Sequence, residues 1–117
     1  MPIYVRRDRN SAPQTTRKQP GLHFTDANFA SSTLAAGFAN IFEAFPREGF
    51  KAWDGDMIVY MIAGHVSIQE QGGNRLEVLP GNVVFIPAGT RYCWKQINLE
   101  EVLVFVVNPL PFNPIEN

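Results

Sequence analysis

The chain of 117 residues carries 10 Lys+Arg against 11 Asp+Glu, two histidines and one cysteine, which at roughly 100–200 residues per domain amounts to one domain with an ordinary core. A lone Cys93 excludes an intramolecular disulfide, and His23, His65 and Cys93 are too few for a four-ligand Cys/His zinc site. The longest apolar stretch, Met57 to Ile68, is broken by Gly64 and His65 and falls short of the ~18 residues of a spanning helix, so no membrane partner is expected.

No apolar leader follows Met1, which makes the cytoplasm the expected location. The near-zero net charge hides an asymmetry. Residues 1–20 sum to +4 and residues 21–117 to −5. The first segment therefore reads as a basic arm on a single domain over 21–117. Its basic residues are few, and the acidic domain behind it would repel phosphate, so no nucleic-acid partner is expected.

Nine prolines and nine glycines leave few windows wide enough for a helix, and the chain reads as all-β. Ile3 to Val5 is a candidate first strand. From Leu34 to Phe45 strand alternation sets Phe38, Asn40 and Phe42 on one face and Ala39, Ile41, Glu43 and Phe45 on the other. Short runs follow at Phe50–Trp53, Met57–Ala63 and His65–Glu70, with Gly64 at the last junction. Gln71-Gly72-Gly73-Asn74 is the clearest hairpin signal, because glycine supplies the positive φ of tight connections. Arg75–Leu79 returns from it. Val83–Ile86 lies between Pro80-Gly81-Asn82 and Pro87-Ala88-Gly89-Thr90, and Tyr92–Gln96 and Val102–Val107 complete the set. The proline-rich run from Asn108 to Pro114 lacks the donors to continue a central ladder. Short strands at this spacing imply a sandwich, jelly roll or barrel.

Two segments resemble the motifs of the cupin fold, a jelly-roll barrel or double-stranded β-helix. Asp56 to Gly64 is similar to the end of the first motif. Pro80 to Tyr92, with Gly81, Pro87 and Gly89 in place, is similar to the second. With flanking strands the resemblance covers roughly 30–108. In metal-binding cupins the first motif supplies two histidines one residue apart and then a glutamate, and the second supplies a histidine. The register here places Lys51, Trp53, Met57 and Tyr92 at those positions. An ammonium has no lone pair and a thioether is too soft for Fe(II), Mn(II) or Zn(II), so no metal and no other cofactor is expected. Asp54-Gly55-Asp56 reads as a turn. Trp53-Asp54 before Asp56, with the compact length and proline-rich ending, resembles the ethanolamine-utilisation protein Q group and the small cupins similar to ureidoglycine aminohydrolase. That resemblance implies a role in ethanolamine-type catabolism.

The resemblance aims Lys51, Trp53, Met57 and Tyr92 into the barrel mouth, and alternation adds Val59, Met61, Trp94 and Gln96 to the same face. Two readings of these residues stand side by side. In one, Lys51, Trp53, Met57, Tyr92 and Trp94 bind a small organic anion, Lys51 holding its charge while Trp53 and Tyr92 stack on the remainder. In the other, the pocket has filled in, Trp53 and Met57 are plain core and Lys51 snorkels to solvent. A catalytic version makes Lys51, desolvated against Trp53, a base or imine-forming amine and Tyr92 an acid, and the activities the resemblance implies for such an enzyme are isomerase, hydrolase or acetate-kinase-like. No phosphate loop supports a kinase, since Gly72-Gly73 is followed by Asn74-Arg75. Arg91 and Cys93 alternate outward, and His23 and His65 read as surface or capping residues. The N-terminal strand Ile3 to Val5 and the exposed apolar ending around Phe112 invite sheet packing or strand exchange, so the partners expected are a small-molecule ligand and a second copy of the chain in a homodimer, with a purely structural or regulatory homodimer as the non-catalytic alternative.

Overall fold

The computed structural model describes residues 16–19, 22–25, 29–98, 100–110 and 112–115. Ile3 to Val5 and most of the basic arm lie outside them. The described residues form eleven strands, paired throughout in antiparallel fashion, and no helix. β1 (Thr16–Gln19), β2 (Leu22–Thr25), β4 (Leu34–Ile41), β11 (Val102–Pro109), β6 (Met57–Ala63) and β9 (Val83–Ile86) lie in that order in the larger sheet, with β3 (Phe29–Ala30) also on β4. The smaller sheet runs β5 (Ala44–Phe45), β10 (Tyr92–Gln96), β7 (Val66–Glu70), β8 (Arg75–Val78). This is the expected jelly-roll arrangement, two facing sheets with the core between them.

Alternation decides which side chains enter that core. On β6, Met57, Val59 and Met61 are buried while Ile58, Tyr60 and Ile62 are exposed, as a pleated strand between core and surface requires. Val104 and Val106 on β11 and Ile41 on β4 face them from the same sheet, and Val66, Ile68 and Trp94 close the core from the other. The hairpin joining β7 and β8 falls where the two glycines predict it, with Gly72 at φ +83° and Gly73 N–H donating to the Glu70 carbonyl at 2.8 Å.

Three expectations need correction. The run Leu34–Phe45 is two strands in different sheets. The chain turns at Glu43, whose φ is +58°, and the Gln96 side chain accepts from Glu43 N–H at 2.8 Å to hold the turn. Among the described residues, Phe50–Trp53 forms no named strand but only the bridges Lys51 to Tyr92 and Trp53 to Pro114. Asn108 and Pro109 do extend β11, opposite Ala35 and Leu34. The pairing with β6 stops at Val107 opposite Ile58, so the strand is paired on one side there and the missing proline donor leaves no gap.

Candidate functional site

The two cupin-like motifs converge on Trp53 and Tyr92. Tyr92 opens β10, and its backbone exchanges both hydrogen bonds with Lys51, at 2.8 and 2.9 Å. That bridge sets Trp53 beside the barrel mouth, where its indole Nε1–H donates to the Tyr92 hydroxyl at 2.9 Å. Both side chains are buried, Tyr92 to 2% exposure. Burial pushes the phenol's pKa above its ordinary value of 10.0, and the indole hydrogen bond offsets only part of this. Tyr92 therefore keeps its proton at any physiological pH. Its oxygen accepts from Trp53, and among the described residues none accepts from it.

A cavity of about 30 Å³ lies against this pair. Met57 and Val59 of β6, Trp94 of β10 and Phe45 of β5 form part of its wall. Ile41, Val104, Val106 and Asn108 complete the inner side. Phe112, from the segment after β11, closes it by stacking on Trp53 with ring centroids 4.7 Å apart and planes 15° from parallel. As it stands the space suits a water or two and no organic ligand. Tyr92 also borders an open cleft of about 310 Å³ between the β8 and β9 edges, walled by Ile68, Leu76, Val84 and Phe85 with Glu70 and Thr90 at its polar margin.

Of the expected site residues, Trp53, Met57, Tyr92 and Trp94 meet at the cavity, and Val59 joins them. Lys51 does not line it. The lysine is half-buried, and its Nζ stands 5.2 Å from the Trp53 ring centroid as a cation–π partner. Met61 is fully buried in the core away from the cavity. Gln96 is spent at the barrel end, accepting from Glu43 N–H and donating to the Glu100 carbonyl at 2.6 Å. Alternation set Cys93 outward, yet it is 5% exposed. β10 lies between β5 and β7, and the thiol opposite Gln69 is short enough to be shaded by its neighbours. Arg91 is half-buried and reaches the Phe50 carbonyl. His65 pairs with the Glu77 carboxylate near the surface, and His23 lies on β2 opposite Asn40.

The donor set does not fit a metal ion. Among the described residues the cavity offers one thioether, one protonated phenol and one amide, with no imidazole, carboxylate or thiolate. The nearby carboxylates are otherwise engaged: Asp56 accepts from Ala88 N–H at 2.9 Å and Asp54 from Asn113 N–H at 2.7 Å. Sequence reasoning missed Asn108, and it read the apolar ending around Phe112 as exposed dimer surface, whereas Phe112 is half-buried and stacked on Trp53. Their only signal was an apolar residue in a proline-rich run, and nothing in local spacing says that such a run folds back over the barrel.

A family profile described as an EutQ-like cupin domain matches residues 39–99, which contain both motifs and every expected site residue. A search of curated proteins finds no match. Among solved structures, the polyketide cyclase RemF from Streptomyces resistomycificus superposes with a TM-score of 0.75 at 15% identity, over 98% of this chain and 87% of that one. The EutQ protein of Clostridium difficile gives 0.61 at 20%, over 75% and 67%. The DMSP lyase DddQ from Ruegeria pomeroyi DSS-3 gives 0.65 at 20%, over 80% of this chain and 49% of the lyase. At such identities these likenesses concern the fold, and their different chemistries show how little a fold fixes function. The profile match over more than half of the residues, on two sheets in jelly-roll order, places the chain in the EutQ-like cupin domain family.

Proposed function

We propose that this cupin binds a small, neutral, largely apolar molecule in the barrel, oriented by a hydrogen bond from Tyr92. The observation that supports this is the buried Tyr92 hydroxyl, whose acceptor side is taken by Trp53 Nε1–H and whose proton has no acceptor among the described residues. Buried polar groups are normally satisfied. A ligand oxygen at the cavity would supply what is missing, and the apolar lining penalises a charged ligand, which would lose its hydration without an ion partner. A neutral ligand thus fits better than the organic anion expected from Lys51. The same reasoning disfavours ethanolamine itself, because its ammonium would meet no carboxylate among the described residues of the cavity. An ethanolamine-linked role, suggested by the family's name, would involve another compound.

Binding is favoured over catalysis by the chemistry of the two catalytic candidates. A phenol held above its ordinary pKa is a weak proton donor near neutrality. Lys51 stands outside the cavity wall. Phenol, a neutral arene with one oxygen, serves as the probe, and the Trp53 indole N–H resonance as reporter. Phenol is expected to shift that resonance in the native chain, and Tyr92→Phe to weaken the affinity at least tenfold. Equal affinity in the two proteins would defeat the role given to Tyr92.

A second copy of the chain remains the proposed macromolecular partner. Ile58 and Tyr60 of β6 stand opposite Phe85 and Val83 of β9, and all four are exposed on the outer face of the larger sheet. Phe105 lies next to Tyr60 and packs edge-on against Phe38 at 5.2 Å. A contiguous apolar face of this kind marks an interaction surface more often than a solvated one.

A further inference from the structure

We propose that Phe112 is an internal stand-in for the ligand, and that the ligand is accordingly a monocyclic aromatic compound bearing an oxygen acceptor, which displaces Phe112 from Trp53. The inference rests on the ligand-binding reading above and assigns its chemical class. Phe112 lies almost parallel to the Trp53 indole, its centroid 4.7 Å away, and forms part of the cavity wall, yet is itself only half-buried. It reaches the core from a surface segment. An aromatic ring stacked on a buried indole, beside a phenol whose proton meets no acceptor among the described residues, outlines the two contacts that an aryl alcohol or aryl carbonyl compound would make.

The seat is shaped for that ring. A Cβ on Gly55 would stand 3.0 Å from Phe112 Cδ1, closer than side chains normally approach. The bare glycine is what admits the ring edge. The empty space beside it is about 30 Å³. Withdrawing the phenyl group would join its volume to that space, and cavities on the order of 150 Å³ with apolar walls accept benzene.

The cover is lightly held. Asp54 N–H donates to the Asn113 carbonyl at 3.0 Å, Asp54 Oδ1 accepts from Asn113 N–H at 2.7 Å, and Ile115 N–H donates to the Ala52 carbonyl at 2.9 Å. Asn113, Pro114 and Ile115 are all exposed. Hydrogen bonds at an exposed margin are exchanged for water at small net cost, and segments held this way open well before the core does. Phe112 and an incoming arene then compete for one face of Trp53, and the apparent affinity falls by the fraction of molecules in which the seat is vacant.

The test compares phenol binding by the native chain, Phe112→Ala and Asp54→Ala, using calorimetry and the Trp53 indole N–H resonance. Phe112→Ala is expected to bind phenol at least tenfold more tightly than the native chain. Asp54→Ala, which loosens the cover and leaves the cavity lining intact, should fall between them and covers the case in which Phe112→Ala does not fold. In the native chain, phenol should also speed amide exchange at Asn113 and Ile115. Equal affinities in all three proteins with a shifted Trp53 resonance would overturn the stand-in role and leave the ligand reading in place. No shift in any of them at millimolar phenol would overturn both.

Discussion

Trp53 and Tyr92 lie 39 residues apart in the sequence, yet the indole Nε1–H of one donates to the hydroxyl of the other at 2.9 Å inside the barrel. Tyr92→Phe keeps the ring and removes the acceptor, leaving a buried indole N–H unsatisfied. Such a loss costs roughly 1–3 kcal/mol, to be read from urea denaturation at neutral pH. The phenol adds a pH signature. Its folded pKa is raised above the unfolded value of 10.0, so above that pH the unfolded chain has released a proton that the folded chain retains. Stability is fully present below pH 10 and is lost as the pH rises further, with a slope approaching about 1.4 kcal/mol per pH unit for one proton. Tyr92→Phe should remove this part of the alkaline slope, and identical slopes in both proteins would contradict it.

Gly64 joins β6 to β7 at φ +95°, and a Cβ there would lie 2.5 Å from the Glu101 carbonyl oxygen and 2.8 Å from Val102 Cα. Both contacts are backbone, so no side chain can rotate away. Gly64→Ala is expected to cost more than ~2 kcal/mol, combining left-handed strain with a clash against β11. Gly72, at φ +83° with open space around it, is the control, and Gly72→Ala should lose about 1 kcal/mol from conformation alone. Equal losses at the two positions would remove the clash argument.

Strands bounded by turn residues could be read in the sequence because their signals are local. β6, with its alternating buried and exposed residues, and the Gly72-Gly73 hairpin are where periodicity and turn chemistry put them. The break at Glu43 was not readable, since a non-glycine residue at φ +58° is imposed by the tertiary fold that carries the chain between sheets. Trp53, Met57, Tyr92 and Trp94 were assembled through motif register and share one cavity wall. Lys51 was placed with them by the same register. A long side chain's direction at a barrel mouth depends on neighbours that no spacing encodes, and its ammonium rests near the Trp53 ring outside that wall.

Lys51 therefore offers a direct contrast. Its pairing with Tyr92 is made by backbone groups, which any side chain preserves. Lys51→Met is expected to change phenol affinity less than threefold and to lower stability by about 0.5–1 kcal/mol through the lost cation–π contact. A loss of affinity comparable to that of Tyr92→Phe would restore the lysine to the site.

The outer face bearing Ile58, Tyr60, Val83 and Phe85 predicts self-association. Light scattering at micromolar concentration should report a dimer, and Phe85→Glu, a change 58% exposed and outside the core, should shift it toward monomer. The charge would have to be desolvated between two apolar faces, whereas it is harmless on a solvated surface. A native chain that is monomeric at that concentration defeats the proposal.

Gly55 separates the seat of Phe112 from the cover that carries it. A methyl group there would stand 3.0 Å from Phe112 Cδ1 and 3.5 Å from Pro109 Cγ, so the ring must shift while the Asp54 and Asn113 hydrogen bonds remain available. Gly55 does not hold a left-handed conformation, and alanine brings no backbone penalty of its own. Gly55→Ala is expected to lower stability by less than ~1 kcal/mol, as for a contact at the barrel margin. The arene that replaces Phe112 takes the same seat and meets the same methyl group, so Gly55→Ala should weaken phenol binding several-fold when added to Phe112→Ala, where no native ring competes. Unchanged affinity between the single and the double variant would mean that phenol does not occupy the seat of Phe112.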